Sequence, residues 1–256
     1  MTTAKKIFLT ILIIAALACA AYYLYSKNVI APTTTLQPQT EEPKILTIED
    51  KKITDNTKPF EIDITYPYIE GQDGFNNFVK NIIDSETASF KQISLENDAA
   101  VKEIDPESYA QFPRSYSLVI SYDKGRLDDN MISAVINIYN FTGGAHGASY
   151  FKAVNWDFRT NTEVKLADIF SETPDYLQKI SDYCIQDLKK QMSQSGAMEM
   201  SDDSWIQEGA GPKEENFSVF LLSDAYADNP TITFYFTQYQ VAAYAAGDFK
   251  VTMPLP

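Results

Sequence analysis

The chain has 256 residues, 45% of them hydrophobic, and its 35 acidic residues against 21 basic ones give a formal net charge of −14. A nucleic-acid surface needs clustered Lys and Arg, and only short pairs such as Lys51-Lys52 and Lys189-Lys190 occur, so nucleic acid is excluded as a partner. One histidine and two cysteines exclude a multi-histidine metal site, and no calcium loop of the D-x-D-x-D-G type is present, so neither metal nor cofactor is expected.

After Lys5 and Lys6, the run Ile7 to Tyr25 contains nineteen residues with Thr10 as its only clearly polar member. At about 1.5 Å rise per residue such a helix crosses a bilayer, and the preceding lysines put residues 1–6 on the cytoplasmic side. Tyr22, Tyr23 and Tyr25 suit the outer interface of an uncleaved anchor. Small-x-small patterns at Ala16-Leu17-Ala18 and Ala18-Cys19-Ala20 leave cleavage open, and Cys19 leaves lipidation open. In each case the rest of the chain is expected outside the cytoplasm, attached to a cell membrane through residues 7–25 unless cleaved. Residues 26–44, with Pro32, Pro38 and Pro43 among Thr and Gln, read as an extended spacer. With Cys19 in the bilayer, Cys184 has no partner, and its place on a stripe with Leu177, Ile180 and Leu188 predicts a buried, inert thiol.

The folded region begins near residue 45. Phe60, Ile62, Ile64 and Tyr66 alternate with polar residues as a half-buried strand does, ending at Pro67. Asp73 is placed to cap a helix in which Phe75, Phe78, Val79, Ile82, Ile83 and Phe90 form one apolar face. Strand patterns follow at Tyr116 to Tyr122, Met131 to Phe141 and Tyr150 to Phe158, with a turn at Arg159 to Thr162 and a short piece at Val164 to Leu166. Thr173-Pro174 predicts a helix opening that runs to about Met192. Residues 193–215 read as an acidic surface loop, and Phe217 to Leu222, Thr231 to Phe236 and Phe249 to Met253 as closing strands. This order predicts an α+β domain, an antiparallel sheet with two main helices packed on it, preceded by the membrane helix.

Thr142-Gly143-Gly144-Ala145-His146-Gly147 lies between two strand patterns, and its glycines imply positive φ or close backbone approach. His146 has two readings: its ring nitrogens are satisfied by the backbone of a tight loop, or it contacts a ligand. No G-x-S-x-G nucleophile elbow occurs, so no catalytic residue is assigned. The paired carboxylates Asp128-Asp129, Asp202-Asp203 and Glu214-Glu215 read as solvated loop charge, because adjacent side chains diverge. Tyr235, Tyr239 and Tyr244, near Gln238, read either as core or as a platform for a sugar.

The passage Tyr139 to Gly147, an aromatic strand with Asn155-Trp156-Asp157, and Val164-Lys165-Leu166-Ala167-Asp168-Ile169-Phe170 together resemble the family called domain of unknown function 3298. The tail Tyr239-x-x-x-x-Tyr244-x-x-Gly247 is similar to its closing loop, and Asn161 stands where members often carry Gly. Residues 60 to 140 resemble the usual upstream companion, domain of unknown function 4163. The chain is thereby divided into a 4163-like part at 45–140 and a 3298-like part at 141–256.

That family includes the outer portion of a lysozyme-sensing anti-sigma factor and a module attached to a peptidoglycan deacetylase. The few residues before the apolar run and the end at Pro256 lead to the expectation that neither a sigma-binding segment nor a deacetylase domain is present. The resemblance implies a non-enzymatic, extracytoplasmic binding domain of the cell envelope, for a cell-wall glycan or a wall-degrading protein such as lysozyme. Its candidate binding residues are His146, Gly143, Gly144, Gly147, Tyr239 and Tyr244. The alternatives are a wall-modifying hydrolase using His146 and nearby carboxylates, and a structural subunit of an envelope assembly.

Overall fold

A computed structural model describes residues 22–23, 46–112, 114–223 and 228–255. Tyr22 and Tyr23 are helical; the rest of the expected anchor at 7–25 and the whole spacer at 26–44 lie outside the described residues. Among the described residues no helix is long and apolar enough to cross a membrane.

From Leu46 onward the architecture is α+β with two sheets. Strands β1 (Glu49–Asp55) and β2 (Phe60–Tyr68) form an antiparallel hairpin. Helix α1 (Asp73–Ile104) then carries the chain across to β3 (Tyr116–Leu127), by way of the short helix α2 (Pro106–Gln111). Such a crossover returns the chain in the same direction, so β2 and β3 pair in parallel, Ile62 beside Leu118 and Ile64 beside Ile120. The uniformly antiparallel sheet expected from sequence is therefore corrected to a mixed one. Strands β4 (Met131–Phe141), β5 (Ala148–Asp157) and β6 (Thr162–Glu163) complete a six-stranded sheet in the order β1-β2-β3-β4-β5-β6.

Phe75, Val79, Ile83 and Phe90 on α1 pack into the sheet's Ile62, Ile64, Leu118, Ile120, Ile136 and Ile138. Each such side chain contributes about 1.5–3 kcal/mol on full burial. Asp73 does not cap this helix; it is the first helical residue after Gln72, which makes no side-chain cap bond. Its carboxylate still lies favourably in the first turn, where the helix dipole is positive.

The second half of the chain builds another core. Helix α3 (Leu166–Ile169) leads to α4 (Tyr176–Ser195), which starts after a left-handed Asp175, two residues past the expected opening at Pro174. The expected surface loop at 193–215 instead contains helix α5 (Asp203–Ala210), capped by the Asp202 carboxylate through the Trp205 N–H at 2.8 Å, with Ile206 and Ala210 buried. Strands β7 (Phe220–Leu222), β8 (Thr231–Phe236) and β9 (Phe249–Pro254) form a three-stranded antiparallel sheet. Ile180, Cys184, Leu188 and Met192 of α4 lie in one core with Phe217, Phe234, Phe236 and Val251.

Two buried polar side chains join the sheets: Ser133 Oγ accepts the Leu222 N–H at 2.8 Å, and Asn155 Nδ2 donates to the Phe220 carbonyl at 3.1 Å. Met131, at the start of β4, belongs to the second core, and the described residues from Leu46 onward form one compact unit. Asp128 is not solvated loop charge: its carboxylate accepts from Arg126 Nε and from the N–H groups of Asn130 and Met131, shaping the β3–β4 turn. Burial pushes its pKa up, and those donors more than offset the burial, holding it below the usual carboxylate value.

Candidate functional site

The glycine-rich loop between β4 and β5 has the demanding shape its sequence implies. Gly143 and Gly144 sit at φ 106° and 101°, which L side chains rarely adopt. Asn97 Nδ2 of α1 donates to the Thr142 carbonyl at 2.9 Å, anchoring the loop from one side. Gly147 serves a different need: a Cβ there would lie 2.5 Å from the Tyr139 ring, so the aromatic ring can approach only because no side chain is present.

His146 is exposed, and its ring stacks on Tyr244 with centroids 3.9 Å apart. Its Nδ1 lies 3.0 Å from the Gly147 carbonyl, which can only accept, so in the neutral ring Nδ1 carries the proton and Nε2 presents a lone pair. The Tyr244 hydroxyl donates to the same carbonyl at 2.9 Å. One ring nitrogen is thus satisfied by the loop backbone, and the other is left for a ligand or a proton.

The loop after β8 brings Tyr239 and Tyr244 to this place. Tyr239 sits at φ 67°, is 55% exposed, and lies 5.7 Å from the Tyr244 ring. Its carbonyl accepts from Trp205 Nε1 of α5 at 2.9 Å, and Ser201 Oγ donates to the Val241 carbonyl at 2.6 Å. Gln240 braces the loop from inside, accepting from Thr237 N–H and donating to the carbonyls of Gly209 and Asn216. The two loops are tied directly, because the Gln238 side-chain carbonyl accepts the Ser149 N–H at 3.1 Å.

Tyr239, Tyr244, His146 and, through Gly147, Tyr139 therefore form an aromatic ridge. Tyr235 does not join it. That ring is buried against Phe151, and its hydroxyl donates to Asp123 at 2.8 Å. Asp123 also accepts from Lys250 Nζ at 2.9 Å and Asn137 Nδ2 at 3.2 Å. Burial raises the Asp123 pKa, and these three donors more than reverse it; burial and the same carboxylate push the Tyr235 hydroxyl upward.

Beside the ridge lies a groove of about 250 Å³, lined by Ser121, Asn137, Tyr139, Ser149, Asp248 and Lys250 among others. Its floor is the face of the larger sheet turned away from the α1 core. The register places Ser121, Asn137 and Phe151 in one row across β3, β4 and β5, and Val119, Tyr139 and Ser149 in the next. Asn137 and Tyr139 were within reach of sequence reasoning, since they alternate with the buried Ile136 and Ile138. Asp248 and Lys250 were not, because they arrive from the other sheet. Of the sequence candidates, His146, Gly147, Tyr239 and Tyr244 come together, whereas Gly143 and Gly144 shape the loop behind them. Among the described residues no three His, Cys, Asp or Glu side chains cluster to hold a metal ion.

The comparisons with known proteins divide the chain in two. Residues 53–149 match the family described as Deacetylase PdaC, and residues 167–255 match Protein of unknown function (DUF3298). The latter bears out the resemblance to the 3298 family; the 4163 companion and the anti-sigma setting are not shown. The ridge draws His146 from the first stretch and Tyr239 and Tyr244 from the second.

A curated relative, the peptidoglycan-N-acetylmuramic acid deacetylase PdaC of Bacillus subtilis (strain 168), is 28% identical over 206 residues, 80% of this chain. The chain spans 40% of that relative's length. Crystal structures of DUF3298 family proteins from Bacteroides fragilis (TM-score 0.56, 20% identity) and Pseudomonas aeruginosa PAO1 (TM-score 0.51, 14% identity) each cover 82% of this chain and 90% of their own, and show the fold alone. The deacetylase relative and family match overturn the expectation of a non-enzymatic binding domain, and a lysozyme-like partner is not shown. A relative and a family both named for a deacetylase point to the cell-wall-modifying alternative, and a peptidoglycan-directed relative fits a cell-wall glycan as partner.

Proposed function

We propose that this chain, whose residues 167–255 are a DUF3298 family domain, acts as a cell-wall-modifying hydrolase that removes N-acetyl groups from peptidoglycan. The observation that carries the reading is the 28% identity to a peptidoglycan deacetylase over 80% of the chain. In that reaction water adds to the acetyl carbonyl carbon, the amide C–N bond breaks, acetate departs and the sugar amine takes up a proton. His146 is the group on the ridge suited to proton transfer. Its Nε2 lone pair can take the water's proton, while the Gly147 carbonyl holds Nδ1–H and fixes the ring's orientation. Tyr239 and Tyr244 offer ring faces to the sugar. The substrate class lies outside the cytoplasm, and the apolar run at 7–25 behind Lys5 and Lys6 supports delivery there, with the chain anchored in the membrane.

The test is acetate release from purified N-acetylated peptidoglycan by the full chain and by His146→Ala. Removing a general base costs about 10²–10⁴-fold in rate. A folded wild-type chain that releases no acetate, or a variant that keeps the wild-type rate, refutes the reading. For placement, a tag after Pro256 should be cut by external protease on intact cells; a tag cut only after lysis refutes it.

A further inference from the structure

The groove beside the ridge has a composition unlike an ordinary solvated sheet face. It presents an amide (Asn137), hydroxyls (Ser121 and Ser149), a carboxylate (Asp248) and an ammonium (Lys250) over a floor that includes Tyr139 and Phe151. At about 250 Å³ it falls below the roughly 300–1,000 Å³ of pockets that enclose drug-sized ligands, so it takes a substituent or one ring, not a whole oligosaccharide. The ridge begins where the groove ends, because Tyr139 lines one and packs on Gly147 of the other.

We infer that this groove reads the acetamido group of an N-acetylated, β-linked glycan, with Asn137 and Ser149 as the specificity-determining pair and the ridge stacking the neighbouring sugar. The inference rests on the proposed deacetylation and names how that site selects its substrate. Asn137 is held in place by the single bond from its Nδ2 to Asp123, which leaves its carbonyl to accept the acetamido N–H. Ser149 is held through its backbone N–H on Gln238, so its hydroxyl remains to donate to the acetamido carbonyl. Asp248 is exposed and accepts sugar hydroxyls in either kind of glycan. Lys250 takes no direct part, being pinned to Asp123 and over the Tyr235 ring at 4.4 Å.

Two hydrogen bonds between neutral groups, each worth about threefold in affinity, set the expected preference at roughly tenfold. The probe pair is N,N′,N″,N‴-tetraacetylchitotetraose against cellotetraose. Both share the β-1,4 linkage and both are neutral, whereas a de-N-acetylated chitosan would be drawn to a chain of charge −14 whatever the groove reads. Calorimetric titration of the full chain should give about tenfold tighter binding of the acetylated tetramer. Ser149→Ala and Asn137→Ala should each cut the preference to about threefold without changing the affinity for cellotetraose. Tyr239→Ala should weaken both tetramers alike. Ser149→Ala leaves every backbone bond in place, so it remains decisive if Asn137→Ala unsettles Asp123.

Equal affinity for the two tetramers, no binding of either, or a preference that survives in both variants overturns the inference. The two readings fail separately. A preference that depends on Ser149 without acetate release sinks the hydrolase and keeps the groove; acetate release without any preference does the reverse.

Discussion

Gly209 in α5 lies against the backbone that presents the aromatic ridge, and replacing it with Ala sets two effects of known sign against each other. Alanine in place of glycine inside a helix should stabilise by about 0.5–1 kcal/mol. A Cβ at 209, however, would meet the Gln240 carbonyl oxygen at 1.8 Å, where real Cβ contacts stay beyond 3.0 Å, so helix and loop must part by at least about 1.2 Å. Forced overpacking costs about 1–3 kcal/mol. The separation also strains the bonds from Gln240 Nε2 to the carbonyls of Gly209 and Asn216, at about 0.5–1.5 kcal/mol each. The clash therefore outweighs the propensity, and Gly209→Ala should destabilise by about 3 kcal/mol.

Urea unfolding followed by tryptophan fluorescence measures this, and Trp205 adds a local signal because its Nε1 donates to the Tyr239 carbonyl. With a slope of about 2 kcal/mol per molar urea, the midpoint should fall by roughly 1.5 M. Gly196→Ala is the comparison. Its φ of 78° is unfavourable, but nothing lies within 4 Å of the added Cβ, so its cost should be about 1 kcal/mol. A Gly209→Ala midpoint equal to or above wild type would show that α5 and the ridge loop are not packed as described.

Asp157 is held at about 2, chiefly by the hydrogen bonds from Arg159, with burial opposing and the Arg159 and Thr160 N–H groups assisting. A carboxyl depressed in the folded state contributes stability above its unfolded pKa of about 3.9, and that contribution is lost as pH falls towards about 2. Asp157→Asn should therefore flatten the fall in melting temperature between pH 4 and pH 2, and an unchanged acid limb would refute the pairing. Burial pushes the Cys184 thiol to about 12, so a disulfide reagent at pH 8 should label it only after denaturation. Rapid labelling of Cys184 in a native chain carrying Cys19→Ala would contradict its place in the core.

The long periodic elements were legible in the sequence because burial wrote them: α1 and strands β2 and β3 bury mainly one face, and the apolar spacing records it, while Met131 to Ile136 of β4 and Val154 to Trp156 of β5 are buried on both faces. β1 was not legible, since EDKKITD lies at a sheet edge with little burial to pattern it. The parallel β2–β3 pairing was missed because strand direction depends on the crossover rather than on the strands themselves. α5 hid in an acidic stretch because only Ile206, Gly209 and Ala210 of its eight residues are buried. At the site, glycine spacing announced the loop, and Asn161, standing where members of the resembled family often carry Gly, is left-handed at φ 56°. The groove was half visible, its floor following from strand alternation while Asp248 and Lys250 depend on how two sheets meet.

The stitching of β7 to the larger sheet by Ser133 and Asn155 bears on heredity as well as on packing. Sequence families cut this chain near residue 150, yet the bond from Leu222 N–H to Ser133 crosses that cut, and Met131 on one side fills the core of the other. A gene rearrangement that traded either half for a foreign counterpart would have to bring a matching hydroxyl to the junction, or leave the Leu222 N–H of a three-residue strand without a partner in a dry interior. Shuffling at that border should accordingly be rarer than shuffling of the whole unit, which can pass intact onto other chains.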